Sequence, residues 1–133
     1  MSNPDKDTIK VLNDLIDVCE DGRKGFETAA ESVKDVRYQE LFRRNSMQRA
    51  RFVTELQEEV RTLGGKPDDS GTGAGALHRG WMNLRTAVTS KEEMAVLSEC
   101  ERGEDHAVKV FRESSAKPLP ESARILVARQ AAE

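Results

Sequence analysis

The two cysteines, Cys19 and Cys100, have the widest chemical repertoire of any side chains in this sequence, and they begin the similar tetrapeptides "CEDG" and "CERG". Thiols can bind zinc, form a disulfide, or act as nucleophiles and redox sensors. Neither cysteine has a second one at C-x-x-C spacing, and the two histidines, His78 and His106, leave too few soft ligands for a structural zinc site. We therefore interpret both cysteines as small, reduced, buried side chains.

Acidic residues near both cysteines form a second group of potential ligands. Glu101, Glu104 and Asp105 precede His106, and Glu20 directly follows the first cysteine. Such oxygen-rich ligands suit iron or manganese, as in redox proteins with a di-iron carboxylate centre. The competing interpretation is a solvated helix face, on which carboxylates are common and bind no metal. A divergent iron or manganese redox protein is therefore the alternative hypothesis for this chain.

Other catalytic motifs are missing from the sequence. It holds no recognisable Ser-His-Asp or Cys-His arrangement. The glycine-rich segment "GTGAG" at 71–75 precedes a predicted helix but follows no predicted strand, so the context of a phosphate-binding loop fails. We predict a protein that is not an enzyme and has no catalytic residues.

The elements that position these residues are predicted to be helices. Apolar residues recur at steps of three and four, as on one face of an α-helix, and no run alternates like a half-buried strand. Asp35 is a predicted N-cap, Gly64 and Gly65 form a predicted helix end, and Ser90 and Glu93 have the spacing of a capping box. Four of the predicted helices cover about 5–33, 76–88, 91–116 and 120–133, and the second helix follows a short predicted break at 34–39 and ends at Gly64.

Four polar side chains interrupt the predicted buried stripes of the long helices. Alternating steps of three and four include Arg23 in the first helix, Ser46 and Arg49 in the second, and Glu104 in the fourth. We call these four residues the polar layer. Because an unpaired buried charge is very costly, Glu104 is predicted to pair with Arg49, Arg23 or both. The competing interpretation is that the long arginine side chains extend out of the stripe into water.

The spacing of 81 residues between the cysteines indicates two similar helix pairs. The same offset relates Arg23 to Glu104, so equivalent positions of the first and fourth helices carry opposite charges. Two helix pairs joined by a long crossover form the ferritin-like fold. The sequence therefore predicts an all-α, antiparallel four-helix bundle with a short extra helix in the crossover. It is one domain over 1–133, with a short or truncated last helix.

The usual ligands of a di-iron centre are missing from this plan. Ferritin-like di-iron proteins carry a Glu-x-x-His motif on the second helix of each pair. Here those positions hold Ser46 and Arg49 in one pair, and Val127 and Gln130 in the other. We therefore predict a bundle without the usual di-iron site and without a cofactor.

Four segments of the chain resemble a known family: "GFETAAESVKD" (25–35), "QRARFVTELQEEVRTLGGKPDDSG" (48–71), "GALHRGWMNL" (75–84) and "ECERGEDHAVKVF" (99–111). They are similar to a bacterial domain-of-unknown-function family of ferritin-like four-helix-bundle proteins, and the likeness extends over nearly the whole chain. The resemblance implies a rubrerythrin- or bacterioferritin-like bundle, sometimes suspected of stress or metal roles, with no established activity. It also implies a longer last helix, so that Glu133 marks a truncated chain or a helix completed by a partner subunit.

Charge and hydropathy disfavour two classes of partner. A net charge of -3 and a pI near 5.5 disfavour a general nucleic-acid binder, which needs a basic surface to neutralise phosphates. No apolar run approaches the roughly 18 residues that a membrane span requires. The first ten residues, "MSNPDKDTIK", are polar and lack the apolar segment of a signal peptide. We predict a cytoplasmic protein that binds neither nucleic acid nor membrane.

The short last helix predicts a function in association. It would expose apolar stripes of the longer helices, which a second copy or another protein would then cover. His78, Arg79, Trp81 and Met82 combine aromatic, flexible and charged side chains, as interface anchors do. For Trp81 the competing interpretation is packing in the core. The sequence therefore predicts a homo-oligomer or a partner-binding module.

Overall fold

A computed structural model of the chain describes residues 4–68, 81, 83–89 and 92–133. Within these ranges all regular secondary structure is α-helical, which confirms the all-α prediction. The helices are α1 (Pro4–Ser32), α2 (Val36–Thr62), α3 (Leu84–Thr89), α4 (Glu93–Ser115) and α5 (Glu121–Ala132). The bounds of α1, α4 and α5 agree with the prediction to within two residues, whereas α2 begins at Val36, inside the predicted break at 34–39.

The helix predicted over about 76–88 differs from the observed element. Trp81 lies before the first turn, and α3 begins at Leu84, whose N–H donates to the Trp81 carbonyl at 3.2 Å. The N–H of Asn83 donates to the Glu99 carboxylate at 2.6 Å, so a side chain of α4 binds the residue directly before α3. Residues 76–80 and Ser90 lie outside the described residues. The capping box predicted for Ser90 and Glu93 is wrong, because the N-cap of α4 is Glu92 and Glu93 is the first residue of the helix.

Sharp ends separate α1, α2 and the connection that follows. Asp35 is the N-cap of α2, as predicted, and its carboxylate accepts the Arg37 N–H at 2.9 Å. At the other end Gly64 has φ = 83°, a left-handed conformation that glycine adopts without steric cost. The N–H of Gly65 then donates to the Val60 carbonyl at 2.9 Å and satisfies an end of the helix.

The hydrogen bonds of one carboxylate show how α4 is oriented relative to α1 and α2. Glu93, at the start of α4, accepts the backbone N–H groups of Lys34 and Asp35, each at 3.3 Å. The start of α4 therefore lies where α1 ends and α2 begins. Both α2 and α4 pack against α1 and run antiparallel to it, so α2 and α4 run in the same direction.

The core has two clusters, one toward each end of the long helices. The first contains Cys19 with Leu12, Leu56 and Phe111, and the second contains Cys100 with Phe26 and other apolar residues of α1 to α4. Residues of α1 are buried on a wider face than the single predicted stripe, because α1 contacts both α2 and α4. Each fully buried Leu or Phe contributes about 1.5–3 kcal/mol relative to exposure.

The last helix covers only part of its neighbours. It has 12 residues, against 27 in α2 and 23 in α4. At about 1.5 Å per residue, α5 is roughly half as long as the helices beside it. Its buried side chains are Ala123, Val127 and Gln130, which face α4 and α2. The remaining lengths of α2 and α4 therefore extend beyond the cover that α5 provides.

Candidate functional site

Arg49 and Glu104 of the polar layer form an ion pair between α2 and α4. The Arg49 Nη2 atom donates to Glu104 Oε1. The Arg49 side chain is only 9% exposed, and its guanidinium carbon lies 5.7 Å from the centroid of the Phe26 ring. The Glu104 side chain is 39% exposed, so the pair has one buried and one solvated end. It is therefore a half-buried salt bridge and not a dry one.

Arg23 binds carboxylates of its own helix instead of Glu104. Its Nε and Nη2 atoms donate to both oxygens of Glu20, each at 3.1 Å, and Nη1 donates to Glu27 at 3.4 Å. Glu20 is buried and needs a counter-charge one turn away. The hydrogen bond from Arg23 to Glu20 raises the pKa of Arg23 above its ordinary value. This local pairing corrects the expectation that Arg23 is available to Glu104.

Ser46 and a glycine complete the packing of the polar layer between α1 and α2. The Ser46 hydroxyl donates to the Arg23 carbonyl at 2.9 Å. A Cβ atom at Gly22 would lie 3.2 Å from Arg49 Nη1, so the missing side chain leaves room for the guanidinium. The glycine of "CEDG" therefore accommodates an arginine from the neighbouring helix.

Both cysteines lie buried beside the polar layer, with no disulfide between them. Burial raises the pKa of Cys19 to about 12, against a smaller lowering by Arg49. Burial, together with the charges of Glu99 and Glu104, raises the pKa of Cys100 to about 12. Both groups remain thiols at neutral pH, and a thiol is a poor nucleophile and metal ligand.

The five side chains predicted as alternative metal ligands do not converge. Among the described residues, no three His, Cys, Asp or Glu side chains lie close enough together to hold a metal ion. Two of the four carboxylates, Glu20 and Glu104, are already paired with arginines, and Glu101 and Asp105 are exposed. The five predicted ligands are Glu20, Glu101, Glu104, Asp105 and His106.

His106 lies on a different side of α4 from the ion pair. Its side chain is half-buried, and its Nε2 atom is buried without a hydrogen bond within the described part of the chain. Glu104 is two positions earlier, which corresponds to about 200° around an α-helix. The imidazole and the Glu104 carboxylate therefore cannot bind the same metal ion.

Trp81 is a core residue and not an exposed interface anchor, which corrects the first interpretation of this side chain. It is 3% exposed and meets the Phe26 ring edge-to-face at 5.0 Å. Cβ atoms at Gly25 and Gly103 would lie 2.5 Å and 2.2 Å from the indole. The missing side chains of these two glycines, on α1 and α4, therefore leave the space that the indole occupies. The other predicted interface residues, His78, Arg79 and Met82, lie outside the described residues.

Glu99 is a structural residue whose role the sequence did not reveal. It lies two residues before Glu101 in an acidic segment, yet it is buried and accepts hydrogen bonds from the Asn83 N–H at 2.6 Å and Arg102 Nη1 at 3.0 Å. It therefore attaches the segment before α3 to α4. The available signal was Arg102, a counter-charge at i+3 that a buried carboxylate requires.

A cleft of about 440 Å³ lies between α2, α4 and the end of α5, and we call it the α2–α4 cleft. This volume is within the usual range for binding sites. The cleft has an apolar floor and a polar rim, with the ion pair among its lining residues. Its main lining residues are Gln48, Arg49, Phe52, Glu104, Val108 and Phe111.

Gln130 closes one side of the α2–α4 cleft and attaches α5 to α2. Its Nε2 atom donates to Glu55 Oε1 at 3.1 Å and to the Phe52 carbonyl at 3.4 Å. Arg129 also donates to Glu55, at 2.8 Å. Burial alone would raise the pKa of Glu55, but these hydrogen bonds outweigh it and lower the pKa below its ordinary value.

Comparisons with known proteins identify the family to which the chain belongs. None of the helices in the described residues has the length and apolar character needed to cross a membrane. A search of curated proteins finds no match to the chain. A family comparison matches residues 7–117, which contain the polar layer, both cysteines, most of α1 and all of α2 to α4. The chain belongs to the family described as Domain of unknown function (DUF2383).

Proposed function

We propose that the chain is a ferritin-like four-helix bundle that acts by binding another protein chain, either a second copy or a different partner, at the α2–α4 cleft. The observation that carries this proposal is the cleft itself. The cleft brings Arg49, Phe52 and Val108 together on one surface beside α5. A helix or helix pair from another chain is the usual occupant of such a groove.

The ferritin-like plan is supported by equivalent positions in the two helix pairs. The offset of 81 relates Phe42 to Ala123 and Arg49 to Gln130, and all four are buried. It also relates the buried Cys19 to Cys100. Matching burial at matching positions is what two similar helix pairs around one core would produce.

The chemistry of the polar layer favours association over di-iron redox function. A guanidinium occupies the position of a metal-binding imidazole in the first pair, and its equivalent in the second pair is the Gln130 amide. A cation repels a metal ion, and an amide is a weaker ligand for iron than a carboxylate. Glu104, the one carboxylate in the polar layer, is already paired with Arg49.

The surface of the cleft also suits a protein partner. Val108 lines it and is 50% exposed, although apolar, and Phe52 and Phe111 lie at its base. Gln48 and Arg112 supply polar groups at its edge. An apolar centre with a polar rim is the usual anatomy of a protein interface.

The proposal is tested by measuring molar mass by light scattering over a wide range of protein concentration. We expect the wild type to associate and Val108→Glu to weaken association at least about ten-fold, because a carboxylate would be placed in an apolar contact. The matched control is Ile125→Glu, at a residue that is 54% exposed on α5 and does not line the cleft. A wild type that is monomeric at every concentration, together with an unchanged Val108→Glu variant, would contradict self-association at the cleft.

A further inference from the structure

The Gln130 side chain carries a buried hydrogen-bond acceptor that has no donor in the described part of the chain. Its Nε2 atom donates to Glu55 and to the Phe52 carbonyl, whereas its Oε1 atom is buried and accepts no hydrogen bond there. Gln130 is 3% exposed and lines the α2–α4 cleft. Because buried polar atoms in native proteins are nearly always paired, Oε1 is a candidate contact for a molecule in the cleft that supplies a donor.

The orientation of the Gln130 amide is fixed by its neighbours on α2. Turning the amide over would place Oε1 against the Glu55 carboxylate and the Phe52 carbonyl, both of which are acceptors. Arg129 also donates to Glu55 and holds that carboxylate beside the amide. Oε1 therefore stays on the side of the amide that faces away from these acceptors.

Two phenylalanine rings form the base of the α2–α4 cleft. Phe52 and Phe111 are buried, and their rings meet edge-to-face with centroids 6.3 Å apart. Ala107 and Val108 extend the apolar surface along α4. Aromatic rings pack favourably on one another in offset and edge-to-face arrangements. A flat aromatic molecule is therefore well suited to this base, and the cleft volume of about 440 Å³ is in the range of small-molecule sites.

The charged residues that line the cleft leave little demand for a charged ligand. Glu104 is paired with Arg49, and Glu133 is paired with two arginines. Arg112 makes no ion pair with the described residues, but it is exposed, and a solvated cation contributes little to affinity. The buried guanidinium of Arg49 would repel a ligand cation. The cleft therefore disfavours a basic ligand and suits an uncharged one.

We infer that the α2–α4 cleft binds an uncharged aromatic molecule that carries an N–H or O–H donor, as indoles and phenols do. The ring of this molecule lies against Phe52 and Phe111, and its donor group bonds Gln130 Oε1. The inference goes beyond the proposed function, because the site needs no protein partner. It also adds regulation, because a ligand and a partner chain that use the same cleft exclude each other.

Two probes that differ in one donor group test the inference on the full-length wild-type protein. Indole has an N–H group, and 1-methylindole carries a methyl group in its place. Two-dimensional proton–nitrogen NMR titrations measure the affinity of each probe and locate it on the chain. We expect indole to shift signals within 48–52, 104–112 and 130–133. We expect it to bind about five-fold or more tightly than 1-methylindole, because only indole can donate to the buried acceptor.

Gln130→Met removes the acceptor and keeps a side chain of similar length. This variant should bind the two probes with affinities within about two-fold of each other, because the preference for indole depends on Oε1. A looser α5 alone would weaken both probes alike and leave their ratio unchanged. The matched control is Ile125→Met, at an exposed residue of α5 outside the cleft, which should keep the wild-type preference. Circular dichroism verifies that both variants are helical.

The result on the wild type decides the inference without any variant. Equal affinities for indole and 1-methylindole, signal shifts away from the cleft, or no saturable binding of indole would each overturn it. A preference for indole that Gln130→Met abolishes supports it.

A competition experiment separates this inference from the proposed function. If the wild type associates through the cleft, indole at about ten times its dissociation constant should weaken association about ten-fold, as measured by sedimentation equilibrium. Association that indole leaves unchanged, although indole is bound in the cleft, would contradict association at the cleft and leave the ligand site in place. Loss of the probe preference in a wild type that still associates through the cleft would overturn the ligand site alone.

Discussion

Arg49 on α2 donates a hydrogen bond to Glu104 on α4, and the pair joins two helices that make little other direct contact. One end of this ion pair is buried against Phe26, and the other opens into the α2–α4 cleft. The pair therefore links the two walls of the cleft. Its energetic contribution is open to direct measurement.

Replacing Glu104 with Gln should destabilise the protein by about 1–2 kcal/mol. The buried Arg49 guanidinium would lose its counter-charge, but the 39% exposure of Glu104 keeps the loss below the roughly 3–5 kcal/mol of a dry pair. Urea denaturation measures this change. The control is Glu101→Gln, an exposed carboxylate one turn earlier, which should cost less than about 0.5 kcal/mol. Equal stability of the two variants would show that the ion pair contributes nothing.

Gly103→Ala should disturb the packing of the Trp81 indole between α1 and α4. The new Cβ would lie 2.2 Å from the indole, so the ring must move, and the net cost should be at least about 1 kcal/mol despite the better helix propensity of alanine. Thermal denaturation and the emission of Trp81, the one tryptophan of the chain, report this change. The emission should shift to longer wavelength as water reaches the ring.

Gly22→Ala is the matched control for this substitution. Its Cβ would meet the flexible end of Arg49 at 3.2 Å, which can move by a small distance. We expect stability equal to or above that of the wild type, because alanine is the better helix former. A Gly103→Ala protein with wild-type stability and emission would contradict the close packing of the Trp81 indole against Gly103.

Both thiols should be nearly unreactive in the folded protein. Burial raises the pKa of Cys19 and Cys100 to about 12, so the thiolate is scarce at pH 8 and is also shielded from reagents. Iodoacetamide labelling followed by mass spectrometry should modify both residues rapidly in guanidinium chloride and at least about 100-fold more slowly without it. Rapid labelling of either residue in the native protein would contradict the burial and reopen a redox function.

Acid should weaken the attachment of α5 through Glu55. The folded-state pKa of Glu55 is lowered, so its ionised form contributes stability above the ordinary pKa of a glutamate, near 4.5. That contribution disappears as the pH falls through the lower folded-state pKa. Glu55→Gln should therefore have a lower melting temperature than the wild type at pH 7, and the difference should vanish near pH 3. The exposed Glu58→Gln serves as the control, and a pH-independent difference for Glu55→Gln would oppose this account.

The helices were predictable from local patterns in the sequence. Steps of three and four located the four longer helices, and Asp35 and Gly64 marked ends that the structure shows, because capping and a left-handed turn depend on a few neighbouring residues. The contact of Arg49 with Glu104 was also predictable in kind, since two opposite charges on buried stripes need each other.

Features that depend on the relative placement of helices were not predictable in this way. Arg23 had two possible partners, and the nearer carboxylate of Glu20, one turn away, competed successfully with Glu104. The packing site of Trp81 lies between Gly25 on α1 and Gly103 on α4. Helical periodicity does not reveal that these two glycines lie close together. The α2–α4 cleft likewise depends on the position of α5 relative to its neighbours.

Native mass spectrometry of the purified wild-type protein tests the central claim most directly, because one spectrum reports both the number of chains and any bound metal. Self-association at the α2–α4 cleft predicts an assembly of two chains of 14.8 kDa each, without stoichiometric iron or manganese. A single chain that carries iron or manganese at full occupancy would contradict the claim and support the di-iron carboxylate alternative.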